Sequence, residues 1–204
     1  MAYLVLVRHG QSIWNLKNIF TGWKDVDLSP KGRREAKKAG EILKKKKFVF
    51  DIAYTSVLTR AINTLSIILK TMKHPKIKIK KDWRLNERDY GKLVGMNKDA
   101  AGKKFGVEQV HIWRRSYDVA PPGGESLKDT AERTLPYFKK HIMADIKKGN
   151  DVLVSAHGNS LRSIVMKLDK LTKRQVLNLE IPTGVPIVYE FGRGGRIVSK
   201  KILI

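Results

Sequence analysis

The chain contains no cysteine, which excludes disulfides, thiolate metal ligands and cysteine nucleophiles and fits a reducing, intracellular setting. Long apolar runs are missing as well. The N-terminal stretch from Ala2 to Val7 meets Arg8 after six residues, too few for a secretory signal and far below the ~20 residues of a membrane-spanning helix. A soluble, cytoplasmic protein with no membrane partner is the expectation. Several signatures of chemistry are absent too. There is no Walker loop, no G-x-G-x-x-G and no G-x-S-x-G elbow, and the five histidines (9, 74, 111, 141, 157) show neither H-x-x-x-H spacing nor clustered acids. No metal site is expected. Acidic residues are scarce, with 19 Asp and Glu against 42 Lys and Arg, so the net charge is +23 and anionic partners are favoured.

The lysines behind that charge lie in runs such as "KKKK" at 44–47 and "KIKIKK" at 76–81. They lack the interleaved aromatics of a base-stacking surface. They read first as a solvated face, next as a field steering small anions, and only last as a nucleic-acid surface without sequence specificity. The arginines differ, because Arg8, Arg60, Arg88, Arg114 and Arg115 stand beside histidines, glycines or aromatics. A guanidinium fork suits phosphate and carboxylate oxygens.

At 204 residues, 42% of them apolar, the chain suffices for one domain over 1–204. Strand and helix patterns alternate. "YLVLV" reads as a buried strand, and the helix from Pro30 carries Ser29 as its cap. "FDIAYTS" (50–56) is a second strand, and Val57, Leu58, Ala61, Ile62, Leu65, Ile68, Leu69 and Met72 recur at helical spacing. "IKIKK" is a short strand. Residues 82–125 read as a long irregular tract ending in the turn "APPGGES". Ser126 and Asp129 form a capping box for a helix reaching about Lys148, with Pro136 as a kink. "DVLVSA" is a third core strand, "NSLRSIVMKL" and "TKRQVLNL" are helical, and "VPIVYEF" with "RIVSKKILI" forms a terminal hairpin across "GRGG". The alternation predicts a three-layer α/β/α fold around a mostly parallel central sheet.

Twice an apolar strand runs into histidine and glycine, in "LVLVRHG" and in "VLVSAHG". In an open α/β sheet the carboxyl ends of neighbouring strands share a crevice, so His9 and His157 converge if their strands are neighbours. Each following glycine permits a close backbone approach to a ligand. With serine elbows, cysteines and metal clusters gone, imidazole remains as the nucleophile. Arginines around it suit phosphoryl transfer through phosphohistidine.

The stretches "LVRHGQSIWN", "FTGW", "TSVLTRAINT", "RLNERDYGKLVGMNKDAA", "IWRRSYD", "GGESLKDTAERTLPYF", "AHGNSLRSIVMKLD" and "IPTGVPIVYEF" together resemble the 2,3-bisphosphoglycerate-dependent phosphoglycerate mutases of the histidine phosphatase superfamily, short form. The resemblance covers essentially the whole chain. It implies the phosphoglycerate mutase-like fold, small anionic phosphoglycerate substrates, 2,3-bisphosphoglycerate as primer, no metal, and a homo-oligomer, a dimer above other states. It makes His9 the phosphorylated nucleophile, with Arg8, Arg60 and His157 around the phosphoryl oxygens. Gly10, Gln11, Ser12, Asn15, Thr21 and Gly22 would line the same pocket, completed by Gly158 and Asn159. Glu87 would be the general acid and base, its pKa raised by nearby phosphate while the arginines oppose that shift. Arg88, Asp89, Tyr90, Lys98, Arg114 and Arg115 would hold the carboxylate and the non-transferring phosphate. Trp113 and Tyr117 read as packing residues, Arg162 as a brace for the loop, and Asp25, Asp27 and His111 as structural or exposed. Gln11 and Ile13 depart from residues frequent in the family. The rival readings are a phosphatase of the same superfamily and, more distantly, a non-enzymatic anion or nucleic-acid binder.

Overall fold

The computed structural model describes residues 1–74 and 76–204. Six strands form one sheet: β1 (Ala2–Arg8), β2 (Ile52–Thr55), β3 (Lys78–Lys81), β4 (Val152–Ala156), β5 (Pro186–Phe191) and β6 (Ile197–Ile202). Their order is β3-β2-β4-β1-β5-β6. Parallel pairing joins β3 to β2, β2 to β4 and β4 to β1. The terminal hairpin adds β5 antiparallel to both β1 and β6. The three-layer arrangement expected from the alternating pattern is what the chain adopts.

Strand alternation creates the layers, since successive side chains of a strand point to opposite faces. Leu4 and Leu6 of β1 face one cluster, together with Tyr54, Val152 and Val154, under Tyr137, Phe138, Ile142, Leu161, Ile164 and Val165. Val5 and Val7 face the other, with Ala53 and Leu153, under Ala39, Leu43, Leu65, Ile68 and Leu69. The second layer therefore comes from α2 (Pro30–Lys45) and α3 (Thr59–Met72), while the short α1 (Ile13–Leu16) before them buries no residue. Ser29 caps α2 by accepting from the Gly32 N–H at 3.1 Å.

Two expectations change in detail, and a third is met. The tract 82–125 is less irregular than its sequence implied, because it holds α4 (Lys98–Phe105), capped by the Asn97 side chain, and α5 (Val107–Arg115). Their buried faces are small, with Ala101 and Val110 packing on Phe20 and Leu93 in a separate cluster, so helical periodicity was faint. Val57 lies outside the helical stripe and is 46% exposed, since α3 begins at Thr59. The Thr59 N–H and hydroxyl both donate to the Asp25 carboxylate, at 2.8 and 2.6 Å, which makes Asp25 a distant cap for that helix. The helix from Ser126 begins with the expected capping box as α6 (Leu127–Tyr137). Around Pro136 it widens into a π-type turn over Phe138–Ile142 before α7 (Met143–Lys147). The remaining helices are α8 (Gly158–Leu168) and α9 (Lys173–Leu177).

Gly10 and Gly32 pack backbone to backbone where the β1 end meets the first turn of α2. A Cβ on Gly32 would stand 2.1 Å from the Gln11 carbonyl oxygen, and one on Gly10 would stand 2.2 Å from the Gly32 oxygen. By helix propensity alone, Gly32→Ala should stabilise α2 by about 1 kcal/mol. The contact reverses the sign. Overpacking of this kind costs roughly 2–3 kcal/mol, so thermal unfolding followed by circular dichroism should show a midpoint lowered by about 4–10 °C.

Candidate active site

Because β1 and β4 are neighbours in the sheet, the residues that follow them meet. The His9 N–H donates to the Ala156 carbonyl at 2.9 Å, and the His9 and His157 rings lie 4.9 Å apart, centroid to centroid. Both are buried, at 2% and 0% exposure. His9 Nδ1 is 2.7 Å from the Gly10 carbonyl oxygen. A carbonyl only accepts, so the proton of the neutral ring sits on Nδ1 and the lone pair on Nε2. Gly10 is itself held by its N–H to Thr64 Oγ1 at 3.1 Å. His157 Nε2 lies 2.7 Å from the Ser56 hydroxyl, which also accepts from the Leu58 N–H. Burial first, then Arg60 and Arg8, hold the His9 pKa well below its ordinary value, outweighing the opposite pull of the Gly10 carbonyl. Burial, Arg60, His9 and Arg8 do the same to His157.

Glu87 stands across from the histidines, 8% exposed. Its Oε1 accepts from the Arg88 N–H (2.8 Å), the Asn159 N–H (3.1 Å) and the Asn159 amide (2.9 Å). Its Oε2 faces Gly158, where an added Cβ would come within 3.5 Å. Burial, the largest influence, raises this carboxyl, but Arg8, the two backbone and side-chain donors and Arg60 together bring it below its ordinary value. The ligand-free site thus holds Glu87 ionised, with the arginines outweighing desolvation.

The backbone of Glu87 is fixed from outside by Trp23 and Arg133. Trp23 Nε1 donates to its carbonyl at 2.6 Å and Arg133 Nη2 at 2.8 Å. Arg133 also bonds the carbonyls of Arg84 and Asn86 and pairs with Glu125. Arg60, 1% exposed, donates to the carbonyls of Gly22 and Lys24 at 2.8 and 3.0 Å, tying the 22–24 turn to α3. Arg8 donates through Nη1 to the Ile181 carbonyl at 2.9 Å.

Two pockets adjoin at Arg8, Glu87, Tyr90 and Lys98. The inner one adds His9, Asn15, Thr21, Gly22 and Arg60. The outer one adds Arg88, Arg114, Arg115, Gly158 and Asn159. Buried cationic donors in this region lack protein partners: Arg8 Nε, Arg88 Nε and Arg88 Nη1. His157 Nδ1 is likewise buried without a partner. Unpartnered charged donors at this depth are costly, and they fit a ligand bearing phosphate and carboxylate oxygens. Among the described residues no group of three or more His, Asp or Glu side chains has the arrangement of a metal site.

Four of the residues expected in the pocket are not among those that line it. Gly10 gives its space to Gly32 and its carbonyl to His9, so helix packing alone already requires its lack of a side chain. Gln11 accepts from the Ser29 hydroxyl, and its N–H goes to Glu35. Ser12 caps α1 and exchanges hydrogen bonds with Asn15. Asp89 holds the turn at Gly91. The sequence reading also missed participants. Ser56 directly follows β2, a third strand whose carboxyl end reaches the crevice. Arg162 lines the outer pocket while donating to the carbonyls of Leu179 and Leu177. Glu180 lines it too, from a loop with no local signature.

The sequence profile of the histidine phosphatase superfamily (branch 1) matches residues 4–202. The chain is 60% identical over 201 residues to the 2,3-bisphosphoglycerate-dependent phosphoglycerate mutase of Parvibaculum lavamentivorans, covering 98% of this chain and 96% of that protein. It is 56% identical over 200 residues to the phosphoglycerate mutase of Schizosaccharomyces pombe, covering 98% and 95%. Among solved structures, a mycobacterial glucosyl-3-phosphoglycerate phosphatase complexed with VO3 superposes with a TM-score of 0.82 at 25% identity, covering 100% of this chain and 98% of that one.

The two depressed imidazoles make stability depend on pH. In the unfolded chain both titrate near the ordinary imidazole value of 6.5, so as pH falls below that value the unfolded state takes up protons that the folded state refuses. Stability is therefore present above about pH 6.5 and lost below it, with a slope of up to about 2.7 kcal/mol per pH unit for two protons. Glu87 adds a further loss only below its unfolded value of 4.5. Urea unfolding between pH 7.5 and 5 should show this slope, and His9→Gln should remove about half of it.

Proposed function

The chain belongs to the histidine phosphatase superfamily, and on that footing we propose that it interconverts 3-phosphoglycerate and 2-phosphoglycerate, as a 2,3-bisphosphoglycerate-dependent phosphoglycerate mutase of glycolysis and gluconeogenesis. The observation that carries this reading is His9, neutral, with its Nδ1 proton committed to Gly10 and its Nε2 lone pair left for a phosphorus atom between Arg8, Arg60 and Glu87. Identity of 55–60% to mutases over nearly the whole chain supports the substrate class. The setting we propose is a cytoplasmic homodimer acting on small anionic phosphoglycerates, with no metal and no sequence-specific nucleic acid.

2,3-Bisphosphoglycerate supplies a phosphoryl group when bound, and Arg8, Arg60 and His157 would hold its transferring oxygens. His9 Nε2 forms the P–N bond as the P–O bond to the donor oxygen breaks, and the Nδ1–H to Gly10 disperses the positive charge that develops on the ring. Glu87 Oε2 gives the departing oxygen its proton. In the return direction Glu87 takes the proton of the incoming hydroxyl as that oxygen attacks phosphorus on His9. Transfer to the 2-hydroxyl of 3-phosphoglycerate, followed by return of the 3-phosphoryl group to His9, yields 2-phosphoglycerate. Phosphate charge arriving beside Glu87 draws on the same arginines that hold its pKa down, so ligand binding itself raises the carboxyl toward the acid form. Arg88, Lys98, Arg114 and Arg115 hold the remaining anionic groups in the outer pocket, with Tyr90 and Asn159 beside them.

A phosphatase would give free phosphate from the same histidine, and product analysis separates the two. With 3-phosphoglycerate and a trace of bisphosphoglycerate, 2-phosphoglycerate should accumulate well ahead of inorganic phosphate. Phosphate as the main product would replace the mutase with the phosphatase. Brief exposure to labelled bisphosphoglycerate should leave acid-labile, base-stable label on His9, and His9→Ala should lose both label and turnover. Label on a serine would end the phosphohistidine mechanism.

Glu87→Gln keeps the shape and the hydrogen bonds to Oε1 but cannot move a proton. Mutase turnover should fall roughly 10²- to 10⁴-fold, as for other positioned acids and bases, with the fold retained by circular dichroism. Turnover near the parent level would remove Glu87 from the proton transfer.

A further inference from the structure

The outer pocket holds a residue whose charge opposes that of its surroundings. Arg8, Arg88, Lys98, Arg114, Arg115 and Arg162 line this wall, and two carboxylates share it, Glu87 and Glu180. Glu87 is buried and its Oε1 is fully engaged. Glu180 stands in the loop between α9 and β5 with its side chain 68% exposed, and it accepts from Arg115 Nη1 at 2.7 Å. Arg115 reaches the Leu177 carbonyl only at 3.5 Å, so Glu180 is its main partner. The next residue, Ile181, holds Arg8 through its carbonyl, which places Glu180 beside the arginine common to both pockets.

Glu180 is not needed to hold its loop. Arg162 already bonds the carbonyls of Leu177 and Leu179, at 2.9 and 2.8 Å, and the Leu179 N–H is bonded to Val176. An ion pair this exposed contributes little to folding. Its placement matters for ligands instead. An anionic group reaching Arg115 must either displace Glu180 or lie close to its charge, and the resulting repulsion grows with the charge of the ligand.

We propose that Glu180 is a specificity-determining counter-ion: it occupies Arg115 while the pocket is free, and it weakens the more highly charged bisphosphate relative to the monophosphate. The inference rests on the mutase reading for the identity of those ligands. By loosening the hold on 2,3-bisphosphoglycerate, Glu180 keeps a pocket crowded with cations from retaining the one ligand that carries a phosphate at both positions.

Calorimetric titration at fixed ionic strength tests this, in a His9→Gln background where phosphoryl transfer cannot consume the ligand. Glu180→Gln should tighten 2,3-bisphosphoglycerate roughly 3- to 10-fold and 3-phosphoglycerate by a factor at least about 2-fold smaller, the scale of a partly exposed charge contact. Glu180→Asp keeps the charge and should keep the parent ratio of the two affinities. Equal tightening of both ligands, or no change, would overturn the proposal. Weaker binding would do so as well, and would make Glu180 a residue that merely positions Arg115. The mutase reading fails separately: a His9-intact parent that forms no 2-phosphoglycerate from 3-phosphoglycerate would sink it, while the affinity ratio would still decide the role of Glu180.

Discussion

Two imidazoles lie 4.9 Å apart next to Arg8 and Arg60, nearly sealed from water, and the arrangement holds only while both rings are neutral. Charging either would place a third positive group in a space where burial already disfavours charge. The rest of the site follows from that constraint. Neutrality leaves His9 with a lone pair at ordinary pH, and the Gly10 carbonyl selects which nitrogen keeps it. The positive field of the arginines is then offset by one buried carboxylate, Glu87, and by whatever anion enters, which is why their donors stand unpartnered at Arg8 and Arg88.

The side chains proposed to react are held by groups that take no part in the proposed chemistry. Arg133 gathers the carbonyls of Arg84, Asn86 and Glu87, pairs with Glu125, and lies over the rings of both Trp23 and Trp83. Thr64 holds Gly10, Ser56 holds His157, and the Gly10–Gly32 contact seats the β1 end on α2. Bonds of this kind fix a carboxylate or an imidazole to within the tolerance that proton and phosphoryl transfer require. The outer pocket is looser. Arg115 and Glu180 there stand partly in water, where charge discriminates between ligands at low structural cost.

The lysines belong to a different level of the molecule. Several pair with acids one helical turn away, as Lys31 with Glu35, Lys37 with Glu41 and Lys128 with Glu132, all well exposed on the lysine side. Such pairs contribute a few tenths of a kcal/mol each. A net charge of +23 gives the molecule a long-range field of the sign that attracts anions.

Much of this was legible in the sequence because it is written in local patterns. Short continuous apolar strands, the Ser29 and Ser126 caps and the alternation of elements pointed to the three layers, and the two strand-end histidines to where a crevice had to be. The helices of 98–115 were not legible, since their buried surface is small and their stability comes from packing on Phe20 and Leu93. Within the site, strand ends pointed to His9 and His157 and the family resemblance to Arg60 and Glu87, but neither said what each neighbour does. Gln11, Ser12 and Asp89 carry motif-like positions and yet spend their groups on helix ends and a turn, and Gly10 on packing and on the His9 ring, whereas Ser56, Arg133, Arg162 and Glu180 reach the site from segments 56 to 180 with no shared signature. Only the parallel pairing of β1 with β4 decided that the histidines touch, and only the closing of these loops decided which donors remain free. Sequence records residue type and spacing along the chain, while a hydrogen bond depends on where distant backbone segments come to rest.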